Sequence, residues 1–177
     1  MTSSKEVKLK HRAPVFHVIV VGAGATGSNL LPSLMQFLNS TKDNLITIID
    51  ADRYEAHNKL NQKCTDEDII SGKSKAQIMA EVYQELYPSL NINYLSEYID
   101  SVEQLFNITN KHGLSHNTTT ILVSCVDNNN ARRIFYETFK SEHSRHLIYI
   151  DSGNGTTDRI GQIVVGYKIR KEKYSKN

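Results

Sequence analysis

The chain has 177 residues, with 21 lysines and arginines against 19 aspartates and glutamates, and a formal net charge of +2. This near balance argues against the strongly basic surface that binds a nucleic acid backbone. No apolar run approaches the ~20 residues needed to cross a bilayer, and residues 1–14 lack the apolar core of a signal peptide. We therefore expect one cytoplasmic domain at 15–168, between a flexible segment at 1–14 and a frayed end at 169–177, with no nucleic acid or membrane partner.

The first half of the chain alternates predicted strands with predicted helices. A β-branched apolar run at residues 16–21 ends at a glycine, which is typical of a strand buried on both faces. Apolar residues spaced by three or four then predict a helix at 26–39. The next elements are a strand at 45–50, an irregular polar segment at 51–72, a helix at 76–86 and a short strand at 92–95.

The second half continues the alternation. Its predicted elements are a helix at 101–111, a strand at 121–126, a helix at 129–140, a strand at 147–151, a glycine-rich turn at 153–161 and a strand at 163–167. Such an order predicts a Rossmann-like α/β fold, which is a doubly wound, mainly parallel sheet with helices on both faces. We expect one antiparallel strand near the C-terminus.

A glycine-rich loop, Gly22-Ala-Gly24-Ala-Thr-Gly27, joins the first predicted strand to the first helix. This arrangement is typical of nucleotide binding, because backbone N–H groups and the helix N-terminus attract phosphate. Gly22 would allow the tight turn, Gly24 the approach of phosphate and Gly27 the close packing of the helix. Asp50, which ends the second strand, is placed to accept hydrogen bonds from ribose hydroxyls. A tight turn without ligand is the alternative, and the loop alone does not distinguish ATP from NAD(P).

Five short motifs follow this loop in a fixed order. They are Asp50-x-Asp52, Asn58-Lys-Leu-Asn61-Gln62, Gly72-Lys-Ser-Lys75, Ser124-Cys-Val-Asp127-Asn128 with Arg132, and Asp151-Ser-Gly153 with Gly161-Gln162. Their order and spacing resemble the adenylation domain of the ThiF/MoeB/E1 superfamily, whose members activate ubiquitin-like and sulfur-carrier proteins. The resemblance extends over residues 16–167.

The resemblance implies a homodimeric, ATP- and Mg²⁺-dependent enzyme. The C-terminal carboxylate of a small ubiquitin-like or sulfur-carrier protein would attack the α-phosphorus of ATP, giving an acyl-adenylate and pyrophosphate. The implied catalytic residues are Lys75, Asp127, Asn58 and Gln62, with Asp127 also the Mg²⁺ ligand. The implied nucleotide-binding residues are Gly22, Gly24, Gly27, Asp50, Asp52, Asn61, Lys75, Asn128 and Arg132.

Two of these residues also have simpler interpretations. The ammonium group of Lys75 suits the neutralisation of phosphate charge, but a lysine in the first turn of a helix is also commonly solvated. The carboxylate of Asp127 suits Mg²⁺, but an aspartate at this position also suits an N-cap for the following helix. Because a dehydrogenase would use the same glycine-rich loop and the same Asp50, an NAD(P)-dependent oxidoreductase stays open as an alternative function.

The sequence departs from the family pattern at two points. Asn61 stands where the family usually has an arginine, and we hypothesise that Lys59 or Lys63 reaches the same phosphate oxygens. Only two cysteines occur, so we expect neither the structural zinc nor the acceptor thiol of the family. We expect Cys125 to be a buried packing residue, Cys64 to be inert and His57 to be solvated at the surface. These departures leave open a third function, that of a nucleotide-binding partner subunit inactive alone.

Overall fold

A single six-stranded sheet organises the part of the chain that the structure describes. The structure is a computed structural model, and it describes residues 15–41, 44–110, 118–141, 146–154 and 161–168. The terminal segments at 1–14 and 169–177, and residues 155–160 of the expected glycine-rich turn, lie outside the described residues.

The strands follow a doubly wound order. They are β1 (Val15–Val21), β2 (Leu45–Ile49), β3 (Asn91–Leu95), β4 (Thr118–Ser124), β5 (Leu147–Asn154) and β6 (Gly161–Lys168). Their order in the sheet is β3-β2-β1-β4-β5-β6, with parallel pairs throughout except for β5 and β6, which pair antiparallel. The predicted Rossmann-like sheet is confirmed, including its antiparallel last strand. The carboxyl ends of β1 to β5 consequently meet at one edge.

Helices cover both faces of this sheet. They are α1 (Ala25–Asn39), α2 (Asp66–Ser71), α3 (Lys75–Leu86), α4 (Val102–Asn110) and α5 (Asn129–Lys140), with a 3-10 turn at Ala56–Leu60. Alternate residues of β1 point to opposite faces, so Val18 packs in the core under α1 and α3 while Ile19 packs in the core under α4 and α5. Both residues are fully buried. Burial on both faces explains why the strand is continuously apolar.

The segment at 51–72, predicted to be irregular, contains the 3-10 turn and α2. The hydroxyl of Thr65 accepts a hydrogen bond from the backbone N–H of Asp68, whose carboxylate accepts one from the N–H of Thr65, at 3.2 and 2.8 Å. This reciprocal cap begins α2, and Gly72 ends it with a φ of 65°. The prediction missed a helix that is capped by local residues at both ends.

The strand predicted at 121–126 lies three residues earlier at its start. Thr118, Thr119 and Thr120 pair with the first residues of β1 and extend β4 toward its N-terminus.

No helix in the described part of the chain is long and apolar enough to span a membrane.

Candidate functional site

A cavity of about 780 Å³ opens where the carboxyl ends of the parallel strands meet. Open α/β sheets bind ligands in a crevice at this edge. The crevice lies beyond the carboxyl ends of the strands, where the order of strands along the sheet reverses direction. Ten of the predicted site residues line the cavity, and they come from the connections after β1, β2 and β4 and from the first turns of α3 and α5: Gly22, Gly24, Asp50, Asp52, Asn61, Gln62, Lys75, Asp127, Asn128 and Arg132. Gly27 and Asn58 do not line it.

Glycine stands at the three loop positions for different structural reasons. Gly22 has a φ of 96°, and a Cβ there would lie 2.8 Å from the carbonyl oxygen of Cys125. A Cβ on Gly27 would lie 2.0 Å from the carbonyl oxygen of Gly22. A Cβ on Gly24, by contrast, would meet nothing within 4 Å. Packing of the protein therefore requires Gly22 and Gly27, whereas the missing side chain of Gly24 leaves space in the cavity.

Asp50 connects the loops that follow β1 and β2. Its Oδ2 accepts a hydrogen bond from the backbone N–H of Ala23 at 2.6 Å, and its Oδ1 accepts one from the N–H of Asp52 at 2.8 Å. Burial raises the pKa of this carboxyl above its usual value, and the two backbone hydrogen bonds oppose the rise. Each oxygen keeps further lone pairs, so the carboxylate can accept a ligand hydroxyl while it holds the loop.

Lys75 is buried, with only 7% of its side chain exposed, so the interpretation as a solvated lysine is wrong. It is the first residue of α3, where the hydroxyl of Ser74 caps the helix and the carbonyl of Asp52 accepts the N–H of Lys75 at 2.7 Å. Its Nζ lies 3.8 Å from Oδ2 of Asp52 and 5.7 Å from the centroid of the Tyr54 ring. A buried ammonium whose counter-ion is this distant keeps N–H donors available to an anion at this point of the cavity.

Asn128, and not Asp127, is the N-cap of α5. Its Oδ1 accepts hydrogen bonds from the N–H groups of Asn130 and Ala131 at 2.8 and 3.3 Å. The N-cap interpretation of Asp127 is therefore wrong, and its exposed carboxylate lines the cavity at the end of β4.

A single carboxylate suits Mg²⁺, which proteins usually bind through one or two carboxylates together with substrate phosphates and water. Within the described ranges, no group of three or more His, Cys, Asp or Glu side chains could hold a metal. The exposed carboxylate of Asp127 is chemically suited to be a single protein ligand of Mg²⁺.

Arg132 joins the ends of β4 and β5. Its Nε and one terminal nitrogen donate to the carbonyl of Val126 at 3.1 and 2.8 Å, and the same terminal nitrogen donates to the carbonyl of Ser152 at 3.0 Å. The guanidinium also lies against Gly153, where a Cβ would come within 2.6 Å of it. Although Arg132 lines the cavity, these hydrogen bonds engage its guanidinium with the protein backbone.

We expect Arg132→Ala to reduce the free energy of unfolding by about 2–4 kcal/mol, because it leaves two part-buried carbonyls without their charged donor. Urea denaturation followed by circular dichroism measures this as a lower midpoint at an unchanged m-value. The matched control is Arg133→Ala, since exposed Arg133 donates only to the side chain of Asn130 among the described contacts. Equal stability of the two variants would contradict a joining role.

The 3-10 turn presents two amides to the cavity. Buried Asn58 holds this turn, because its Oδ1 accepts the N–H of Glu55 at 3.0 Å and its carbonyl accepts the N–H groups of Asn61 and Gln62 at 3.1 and 2.8 Å. Asn61 and Gln62 line the cavity. The Oε1 atom of Gln62 is buried and has no hydrogen-bond partner in the described part of the chain.

Lys59 and Lys63 are absent from the residues that line the cavity. The ammonium of Lys59 pairs instead with the carboxylate of Asp66, near the start of α2. The hypothesis that one of these lysines replaces the family's arginine stays a prediction.

One side of the cavity comes from residues that sequence reasoning missed. Glu97, Tyr98, Ile99 and Asp100 follow β3 and line the cavity beside the loop after β2. These residues follow the strand predicted at 92–95. Because parallel strands end at one edge of the sheet, that prediction was enough to place them at the cavity.

The two cysteines occupy different surroundings. Cys125 is 9% exposed, which confirms that it is a buried packing residue, and burial raises the pKa of its thiol to about 11. Cys64 is partly buried against the core, and both cysteines are free thiols. His57 is exposed, with Nδ1 3.4 Å from the carboxylate of Glu55.

Solved structures of other proteins share this fold. Escherichia coli MccB with succinimide has a TM-score of 0.60 and 16% identity, over 86% of this chain and 41% of that one. MccB with AMPCPP and MccA gives the same four values. Escherichia coli tRNA N6-threonylcarbamoyladenosine dehydratase, TcdA, with ATP has a TM-score of 0.51 and 19% identity, over 70% of this chain and 46% of that one.

The chain therefore spans less than half the length of these solved structures. No curated protein matches its sequence. The ThiF family matches at residues 6–152, which is most of the sequence. This protein belongs to the ThiF family.

Proposed function

We propose that the chain is an E1-like adenylating domain. It would use ATP and Mg²⁺ to adenylate the C-terminal carboxylate of a small ubiquitin-like or sulfur-carrier protein, with release of pyrophosphate. The observation that carries the proposal is the buried ammonium of Lys75, which lines the same cavity as the open space at Gly24 and the exposed carboxylate of Asp127. These three features together suit a phosphate chain bound with a hard cation.

Two of the similar structures support this choice of ligand. TcdA is described with ATP, and MccB is described with AMPCPP together with MccA. The cavity of this chain lies at the same edge of a Rossmann-like sheet where nucleotides bind in general.

The reaction needs alignment and charge neutralisation more than proton transfer, because the attacking carboxylate is already ionised at neutral pH. The loop at Gly24 would bring backbone N–H groups and the start of α1 to the phosphates. Lys75 would neutralise negative charge that develops around the α-phosphorus as the carboxylate attacks. Asp127 would hold Mg²⁺, and the bound ion would supply positive charge to the phosphate chain and the departing pyrophosphate.

ATP–pyrophosphate exchange with candidate carrier proteins tests the proposal. We expect carrier-dependent exchange, and we expect Asp127→Asn to lower it about 100-fold, since a neutral amide binds Mg²⁺ weakly. Its stability should be unchanged because Asp127 is exposed. Glu137→Gln is the control, since Glu137 is an exposed acid of α5 outside the cavity lining.

The same assay separates the alternative functions. ATP binding without exchange with any carrier would favour an inactive nucleotide-binding subunit, which the asparagine at position 61 makes a concrete alternative. Thermal stabilisation by NADH, with none by ATP and Mg²⁺, would overturn adenylation in favour of an oxidoreductase. Light scattering of the same samples tests the expected homodimer.

A further inference from the structure

Asp52 lies between two possible partners at the cavity. The hydroxyl of Tyr98 donates to its Oδ1 at 2.5 Å, whereas Nζ of Lys75 lies 3.8 Å from its Oδ2. The backbone N–H of Asp52 donates a hydrogen bond to the carboxylate of Asp50. The closer partner of this carboxylate is therefore a neutral phenol, and the ammonium is the more distant one.

This distance is unusual for an ammonium and a carboxylate that face one cavity. A charge-assisted hydrogen bond between such groups normally brings nitrogen and oxygen to about 2.7–2.9 Å. Lys75 has little freedom to move away, since it is almost fully buried and the Tyr54 ring lies beside its ammonium. Asp52 is half-exposed, so its side chain is the partner whose position can vary.

The position of Asp52 decides how well Lys75 attracts an anion. A carboxylate in direct contact would occupy one of the three N–H donors of the ammonium and cancel most of its positive potential. At 3.8 Å the same carboxylate leaves the donors free for another acceptor. The phosphate of a nucleotide would have to displace a direct contact, and its affinity would fall accordingly.

We propose that Tyr98 is a positioning residue whose hydroxyl holds Asp52 away from Lys75 and thereby keeps the ammonium available to the phosphates of ATP. This inference rests on the proposed function and adds a residue from the loop after β3 to the phosphate site. Tyr98 would act through Asp52 and Lys75, without contacting the reacting atoms.

The loop that carries Tyr98 is held in place by α4. The side-chain amide of Gln104 donates to the carbonyl of Tyr98 at 3.0 Å, and its Oε1 accepts the N–H of Asp100 at 2.9 Å. A tyrosine hydroxyl is protonated at neutral pH, and the hydrogen bond to Asp52 raises the pKa of the Tyr98 hydroxyl further. The loop is thus fixed before a nucleotide arrives.

Tyr98→Phe tests the inference, because it removes the hydroxyl and keeps the ring. We expect the Kd for ATP with Mg²⁺, measured by calorimetry, to rise about 3- to 10-fold, the usual effect of losing one hydrogen bond. In the D52N background no carboxylate competes for Lys75, so the same Tyr98→Phe change should alter the Kd less than about 2-fold. A factor of about two is the usual deviation from additivity between independent substitutions. Tyr136→Phe is the matched control, since Tyr136 is an exposed tyrosine of α5 outside the cavity lining.

A second ligand separates positioning from direct contact. Adenosine has no phosphate, so its binding, measured by competition, should be the same for the wild-type protein and Tyr98→Phe. The inference would be overturned if Tyr98→Phe weakened the binding of adenosine and of ATP by the same factor. It would also be overturned if Tyr98→Phe weakened ATP binding as much in the D52N background as in the wild-type background. If the wild-type protein binds ATP and Tyr98→Phe binds it equally well, the inference fails and the proposed function stands. A wild-type protein that binds no ATP overturns both.

Discussion

Gly27→Ala should reduce the free energy of unfolding by roughly 3 kcal/mol or more, at the upper end of the usual cost of overpacking. The new Cβ would lie 2.0 Å from the carbonyl oxygen of Gly22, a separation that no relaxed structure contains. Both groups are tied to backbone, so α1 would have to move off the sheet. Because a domain of this size is stable by only about 5–15 kcal/mol, such a loss should be obvious in urea denaturation.

Gly24→Ala, three residues earlier in the same loop, should reduce ATP affinity and have little effect on stability. Its φ of −70° lies outside the left-handed region and its Cβ meets open space, so Gly24→Ala should cost much less stability than Gly27→Ala. The added methyl occupies space beside the cavity, where a phosphate would need to approach the backbone. We therefore expect ATP affinity to fall roughly 5- to 150-fold, which corresponds to a steric cost of 1–3 kcal/mol.

The two glycine variants are controls for each other in calorimetry and denaturation. A Gly24→Ala protein that binds ATP normally would show that phosphate does not approach this loop. A Gly27→Ala protein with wild-type stability would show that α1 can shift away from β1 without penalty. Either result would contradict the role that the glycine spacing predicts for that position of the loop.

The sheet was predictable because its strands are buried on both faces. A strand of this kind must be apolar at successive positions, as in β1, where Val18 and Ile19 lie in different cores. The turn to α1 was predictable for a similar reason, since only glycine fits at Gly22 and Gly27. Local chemistry of this type is fully present in the sequence.

The burial of Lys75 was not predictable from its neighbours in sequence. It depends on the carbonyl of Asp52, a residue of another loop, which accepts the first N–H of α3 and brings the side chain into the cavity. The contact between Tyr98 and Asp52 likewise joins loops that are 46 residues apart. Sequence spacing locates each loop at the sheet edge but does not show which side chains touch.

Some of the missed features were local and could have been found. The pattern at Thr65 and Asp68 is a capping signal, and Asn128 is as good an N-cap as the aspartate before it. The choice between Asp127 and Asn128 depends on one residue of register at the start of α5. That single residue decides which side chain is used by the helix and which remains for a cation.

Lys75→Met should lower ATP–pyrophosphate exchange about 100- to 1,000-fold, the usual effect of removing a preorganised group that stabilises developing charge. The substitution keeps the length of the side chain and its packing but removes the buried ammonium. The main expected loss is in the rate at saturating ATP, since charge develops at phosphorus in the transition state. Lys73→Ala is the control, because Lys73 is a nearby lysine that pairs with Glu81 on the surface.

The same variant should be at least as stable as the wild-type protein. Burying an ammonium beside a distant counter-ion is unfavourable, and replacing buried charge with an apolar side chain is often neutral or stabilising. Asp52 would not become a buried unpaired charge, because it is half-exposed and keeps its hydrogen bond from Tyr98. A lower melting temperature with a proportionate loss of exchange would indicate a structural lysine. Full stability without exchange would indicate that this charge is kept for the phosphates, at some expense to the fold.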